Sequence, residues 1–397
     1  MRRPCAQVYK KEWAELKHSK KILVYSACAM LLGALLAGAA FLSGACIDGV
    51  TFGKDGAQII DKQKYSSSDD NLTEFSSVKL NIDKADVEFI PSDHYGIQFV
   101  HYGKNDTFDY KVENGTLKAV TADNYSHSFV SFDFGNTSRG NTLSIYYPKN
   151  TELKNVEVTD NSGSLEVSGL KASKVRACLQ YGRFYLDGSE CGDIGIDIKN
   201  GGCVLKNVKS GTLDYNNDYG KGTFEDINVT GTQDVKMLSK NGSLTVKNFK
   251  CAGIEADSSY GSMELDGLSA SSLKSMLKNG NLSVKNSTLK NIVAENTYGK
   301  VNITGVKSGG ANVKCKNGEI NVDGELAGTT QVSSDYGKVH VSTSLPKEKY
   351  SYILVTKYGN VAVDGKTYDM NVASTGKAEN SLHAESSNGD VEVFFGR

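Results

Sequence analysis

Glycine recurs along this chain at a nearly constant interval. It stands at Gly163, Gly182, Gly201, Gly220, Gly242, Gly261, Gly280, Gly299, Gly318, Gly337, Gly359 and Gly389. Most steps are 19 residues, two are 22 and the last is 30. A fixed period of this length marks a repeat architecture, in which each unit buries its apolar face only against its neighbours. Counting each glycine as zero, position +4 is apolar in every unit, from Val167 and Leu186 to Val363 and Val393. Position +2 is apolar everywhere except at Gly222, and position +3 between them is mostly polar. That is a short strand with one face turned inward. A second Gly or Asn at +6 (Gly169, Gly188, Asn207, Asn248, Gly267) suits a tight turn with positive φ.

Two strands and two turns in 19 residues leave no room for a helical crossover. The pattern predicts an all-β, parallel β-solenoid (a β-helix) of about twelve 19-residue coils over residues 156–397. A chain of antiparallel hairpins explains the alternation as well, but not the constant spacing of one apolar column. Residues 76–155 alternate less regularly, through Val78, Leu80, Ile82, Val87 and Phe89, and read as a β entry segment. Residues 46–75 are turn-rich, including Ser66-Ser67-Ser68-Asp69-Asp70-Asn71, and read as a polar linker.

The N-terminus has a different character. Residues 1–21 carry seven basic and two acidic side chains in a chain of net charge −1. Residues 22–45 then hold no charge at all. As a helix they would reach roughly 36 Å, enough for a hydrocarbon core of about 30 Å. We therefore expect one N-terminal transmembrane helix over 22–45. The positive-inside rule places the basic segment 1–21 in the cytoplasm and the C-terminal domain outside the plasma membrane. A cleaved signal peptide has a shorter apolar stretch. Ser43-Gly44-Ala45-Cys46 is a near match to a lipoprotein site, with Ser43 where a branched aliphatic residue is usual.

The residue before the glycine alternates: Tyr181, Asn200, Tyr219, Asn241, Tyr260, Asn279, Tyr298, Asn317, Tyr336, then Tyr358 and Asn388. Lys199, Lys240, Lys278 and Lys316 precede the asparagines, while Asp218, Ser259, Thr297 and Asp335 precede tyrosines. The true unit is a pair of coils. Stacked lysines about 5 Å apart would repel by roughly 3.5 kcal/mol at an effective dielectric near 20, and the alternation separates them. Tyr181, Tyr219, Tyr260, Tyr298, Tyr336 and Tyr358 are the candidate binding residues, as flat rings about 10 Å apart that could stack on sugars. Corner packing is the competing explanation.

Little else points to chemistry. There is no P-loop, HExxH or GxSxG, no cofactor motif and no His/Cys cluster at metal spacing. Acidic residues spread along columns rather than converging on one bond, so we expect no enzyme. The near-neutral charge gives no reason to expect nucleic acid. Eight cysteines without a CxxC pair read as free thiols.

Short stretches of the chain resemble the bacterial "putative adhesin" family, a β-strand-repeat envelope domain of unknown function. They are Ile82-Asp83-Lys84-Ala85-Asp86-Val87-Glu88-Phe89, Leu143-Ser144-Ile145-Tyr146-Tyr147-Pro148, Ser162-Gly163-Ser164-Leu165-Glu166-Val167 and Ser387-Asn388-Gly389-Asp390-Val391-Glu392-Val393. The resemblance covers roughly residues 76–397. It implies an outward-facing β-solenoid and no catalytic residues. This chain departs from the pattern in placing Tyr-Gly in half its turns. The expected function is adhesin-like, non-catalytic binding to a glycan, cell-wall polymer or surface protein. An accessory or sensory subunit of an envelope-stress system, acting through residues 1–21, is an alternative. A self-assembling surface scaffold joined through its coil edges is another.

Overall fold

The computed structural model describes residues 21, 23–36, 38–39, 50–53, 56–59, 63–103, 106–123, 128–132, 140–374 and 376–397. Two compact units divide the chain: residues 1–62 with 125–138, and residues 63–124 with 139–397. In the first, Val50–Gly53 pairs antiparallel with both Gly56–Ile59 and Ser128–Phe132. Its described helical residues, including 23–36, are exposed. Among the described residues no helix is long and apolar enough to cross a membrane. Parts of the expected span 22–45 (residues 22, 37 and 40–45) lie outside the described residues. So do residues 1–20 of the basic segment, and Cys5 and Cys46.

The second unit is an all-β parallel solenoid. Successive strand runs pair in parallel at a constant offset, for example Ile292↔Ala311↔Thr330 and Leu282↔Val301↔Ile320. All twelve +4 side chains are buried, none more than 1% exposed. The +2 column is buried with them, as are the apolar positions seven and five before each glycine, such as Val175 and Ala177 or Ile292 and Ala294. Each large aliphatic side chain so buried contributes about 1.5–3 kcal/mol. The ladder of aliphatics is therefore the main support of the stack. Gly222, the one gap in the +2 column, is filled from across the coil. A Cβ there would lie 2.7 Å from the Tyr215 hydroxyl. Tyr215 is buried, meets Phe224 edge-on at 5.0 Å, and accepts a hydrogen bond from Asn217 Nδ2.

The glycine column has a steric cause. A Cβ on Gly220 would sit 1.8 Å from the carbonyl oxygen of Gly201 beneath it, and φ there is +133°. Only glycine allows backbones to approach this closely in that conformation. At +6, Asn207, Asp226, Asn248 and Asn286 adopt left-handed φ of 48–56°, as the turn reading expects.

The coil count needs correction. Ten coils, spanning 155–343, stack in sequence order, not twelve. Gly359 and Gly389 belong to two closing rungs laid down in reverse. Asn380–Asn388 and Val391–Phe395 insert between Ile320–Tyr336 with Val339–Thr343 on one side and Tyr350–Tyr358 with Val361–Val363 on the other. Asn371–Ala373 and Lys366–Tyr368 then pair antiparallel with the outermost strands. The N-terminal end follows the same plan. Ser77–Ile82 and Asp86–Ser92 form a rung held between strands that come later in the chain. Asn155–Asp160 and Leu165–Ser168 pair with it on one side, Thr116–Asp123 and Thr142–Pro148 on the other. Asp106–Glu113 and Gly96–Tyr102 cover the outer side in antiparallel register, and Lys64–Asp69 extends it. The segment 46–75, read as a linker, thus contributes strands to both units. Phe394 and Phe395 end the inserted strand, pairing with Ser342 and Thr343, and Phe395 packs against the Tyr350 and Tyr352 rings.

Candidate functional site

All six candidate tyrosines stand in one column at the glycine corner. Their exposures are 52% (Tyr181), 56% (Tyr219), 60% (Tyr260), 53% (Tyr298), 58% (Tyr336) and 74% (Tyr358). Each of these residues is open to solvent over more than half of its surface. The reversed closing rungs also repair a break in the pattern. Along the chain two tyrosines follow each other, Tyr336 and Tyr358. In space Asn388 lies between them, paired with both. The stack therefore reads Tyr, Asn, Tyr, Asn without a fault from Tyr181 to Tyr358. Rings recur at every second rung, about 10 Å apart.

Asn200, Asn241, Asn279 and Asn317 are half-buried, and Asn388 is exposed. Asn241 Nδ2 donates to the Asp218 carbonyl at 3.3 Å, Asn317 to Thr297 at 3.4 Å, and Asn388 to Asp335 at 3.2 Å. Each ties its own rung to the tyrosine rung below. The lysines expected to be separated by the alternation are exposed. Lys240 Nζ pairs with Asp218 Oδ1 at 2.6 Å.

A second corner column was not legible as such in the sequence. Three residues before the glycine, several rungs place a buried polar side chain that donates to the glycine carbonyl of the rung below, while Ser239 and Ser258 donate to the glycine of their own rung. Asn217 Nδ2 reaches Gly201 and Asn296 Nδ2 reaches Gly280, both at 3.0 Å. Ser334 reaches Gly318 at 3.1 Å, Ser386 reaches Gly337 at 2.9 Å, and Thr356 reaches Gly389 at 2.8 Å. These bonds follow spatial order, even through the reversed rungs. Asp160 occupies the same column, 1% exposed, with Oδ1 accepting from the Ser162 N–H at 2.9 Å and Oδ2 unpartnered. Burial pushes its carboxyl up to about 7, Asp86 and Asp83 add to the rise, and the Ser162 bond opposes it. Below neutral pH it is a neutral acid, the form that matches a column of donors.

A cleft of about 330 Å³ opens beside this corner, lined among others by Asp160, Gln180, Asp197, Lys199, Asp218 and Lys240. Another basic set was missed because it follows the glycine rather than precedes it. Arg183, Lys221, Lys300 and Lys338 each come one residue after a Tyr-Gly pair, and the recurring Tyr-Gly-Lys/Arg tripeptide was the available signal. The cysteines of the second unit are free. Burial pushes the thiols of Cys191 and Cys251 up to about 12, so they are poor nucleophiles and ligands.

Fold and corner together define a β-solenoid carrying a regular aromatic edge. The family model described as Toastrack DUF4097 matches residues 75–239 and again 226–394, and the chain belongs to this family. Two solved structures are similar at 11% identity and a TM-score of 0.20, each covering 84% of this chain. One, a putative cell adhesion protein from Clostridium sporogenes, is covered over 100% of its length. The other, a putative adhesin from Bacteroides fragilis, is covered over 97%. Likeness at this level says nothing about a ligand. No curated protein matches the chain.

Proposed function

We propose that this protein is a membrane-anchored, cell-surface scaffold that binds an envelope or extracellular polymer or protein without catalysing a reaction. The observation that carries the reading is the tyrosine edge. Six exposed rings at constant pitch form a surface that can grip an extended partner at many points, each weakly. The anchor rests on the uncharged stretch 22–45 behind a basic segment, with the N-terminus in the cytoplasm and the solenoid outside. End-to-end assembly has less support, because antiparallel strands occupy the coil edges that such joining would use.

The test uses the full chain expressed in a bacterial host. Protease added to whole cells should digest the solenoid and spare residues 1–21. Detergent-washed envelope material should retain added detergent-solubilised wild type and release the triple variant Tyr260→Ser, Tyr298→Ser, Tyr336→Ser. Equal retention of both proteins would sink the role of the edge, and protection of the solenoid in intact cells would sink the outward topology. Deleting residues 2–16 should leave retention unchanged. Loss of an envelope-stress response on that deletion would favour the accessory-subunit role instead.

A further inference from the structure

What stands beside each ring specifies the chemistry of the partner, on the prior reading that this edge binds a polymer. Tyrosine corners continue through glycine to Arg183, Lys221, Ser262, Lys300, Lys338 and Asn360. Asparagine corners begin with Lys199, Lys240, Lys278, Lys316 and Ser387. Along the stack, most rings therefore have a cation one step past the glycine on their own rung. On the next rung a second cation stands just ahead of the asparagine. From Gln180 to Asn360, the four-residue corners hold nine basic and four acidic side chains, in a chain of net charge −1.

Three of the nine are neutralised, in Lys240–Asp218 at 2.6 Å, Lys300–Glu319 at 2.7 Å and Lys338–Glu392 at 2.7 Å. Arg183, Lys199, Lys221, Lys278, Lys316 and Lys357 are exposed and form no ion pair among the described residues. Elsewhere on the solenoid some lysines pair with carboxylates, as in Lys209–Glu190, Lys274–Glu255 and Lys285–Glu264, and others, such as Lys171, Lys236 and Lys290, are exposed with no ion pair among the described residues. At the corner, six such cations share the edge with the exposed tyrosines. Their two-rung spacing of about 10 Å is close to the Debye length of about 8 Å at physiological salt, so their potentials overlap along the edge while direct repulsion stays small.

We propose that the edge binds a linear anionic glycan, with its sugar rings stacked on the tyrosines and its acidic groups paired to the interleaved lysines and arginine. The repeat of one ring and one or two cations per two rungs suits a polymer whose charge recurs once in every one or two sugars. The anion can be a uronic carboxylate or a phosphodiester between sugar-bearing units. Both offer the same acceptor oxygens to ammonium and guanidinium groups. Sugar faces supply the apolar C–H surface that an exposed phenol ring can cover.

The experiment measures equilibrium binding of the full chain in zwitterionic detergent. The probes are polygalacturonate, a glucosylated poly(glycerol phosphate), fully methyl-esterified polygalacturonate, polyglutamate and oligo(dT). One of the first two should bind at least about tenfold more tightly than the uncharged ester and the ring-free polyglutamate. Whichever of the two is preferred identifies the acidic group. Tyr260→Ser, Tyr298→Ser, Tyr336→Ser should lose about tenfold on the preferred glycan and nothing on polyglutamate. Lys221→Gln, Lys278→Gln, Lys316→Gln should lose affinity for both and reduce the salt slope by about one per lysine. These are exposed corner positions, and unchanged circular dichroism confirms that both variants fold. Equal binding to the methyl ester overturns the anionic assignment and leaves the surface-polymer reading standing. Tyrosine-insensitive binding, preference for oligo(dT), or no binding to any probe also overturns the proposal. The envelope-retention experiment judges the broader reading separately.

Discussion

Between residues 155 and 343 every coil lies on the one made just before it. Beyond Thr343 the chain passes over one position, builds the outermost rung at 350–363, and returns to fill the gap with 380–395. Both regions use the same glycine column, the same buried +4 aliphatics and the same donors to glycine carbonyls. The contrast separates two things that repeats usually merge. Column chemistry decides which rungs fit together, and connectivity decides only the order in which they arrive.

The largest effect should come from charge placed in the ladder. Ile303→Asp puts an unpaired carboxylate where exposure is zero, and should destabilise by more than about 4 kcal/mol. Hydrogen exchange should then show lost protection in coils on both sides of it. Val393→Asp, equally buried, should deprotect chiefly 350–397 and the coil beneath. An identical spread from both sites would break the comparison.

Next in size is the acid on the first regular coil, against the N-terminal closing rung. The Asp160 carboxyl is raised to about 7 in the folded chain, against 3.8 when free, so the native state holds the proton more tightly. Its stabilising contribution is complete below pH ~4, fades as pH rises toward 7, and is gone above it. Asp160→Asn should remove this slope and leave the protein more stable than wild type at pH 8, by on the order of 2–4 kcal/mol. Parallel denaturation curves for both proteins from pH 4 to 8 would refute it.

Alanine in place of two glycines sharpens the distinction between regions. At Gly299 a Cβ would lie 2.1 Å from the Gly280 carbonyl oxygen with φ at +125°, whereas at Gly365, in the closing hairpin, nothing lies within 4 Å and φ is +80°. Gly299→Ala should cost about 3 kcal/mol, and Gly365→Ala about 1 kcal/mol, the local backbone penalty alone. Thermal midpoints that shift equally would show that backbone contact does not set the column. The smallest effect is expected from Asn296→Ala. It removes the bond to the Gly280 carbonyl and should cost about 1 kcal/mol in chemical denaturation.

Much of this fold was legible because its determinants are local. The +2 and +4 aliphatics, the glycine before them and the turn residue at +6 lie within seven positions of one another. Even the exception at Gly222 was visible, although its cause, Tyr215 entering from the opposite strand, was not. The tyrosine edge was legible for the same reason, since all six rings share one place in the period. Reversed connectivity was not legible, because Gly359 and Gly389 have the same local surroundings as any other member of the column. The two clues were the 30-residue last step and the consecutive tyrosines 336 and 358. The donor column was hidden for a different reason. Asn217, Asn296 and Ser334 look like surface residues until the neighbouring rung supplies the carbonyl they bind. The unpaired corner cations could be recognised only once the structure showed which of the nine meet a carboxylate.

The closing rungs bear on how such a molecule can lengthen. Further parallel coils have no open rung to stack on at either end of the solenoid, because antiparallel strands pair with both end rungs. Growth or shortening by duplication has to happen in the middle. There it preserves the Tyr–Asn parity only when whole two-coil units are gained or lost. Reach would then change in fixed increments of about 10 Å, like links added to the centre of a chain whose clasps are already shut.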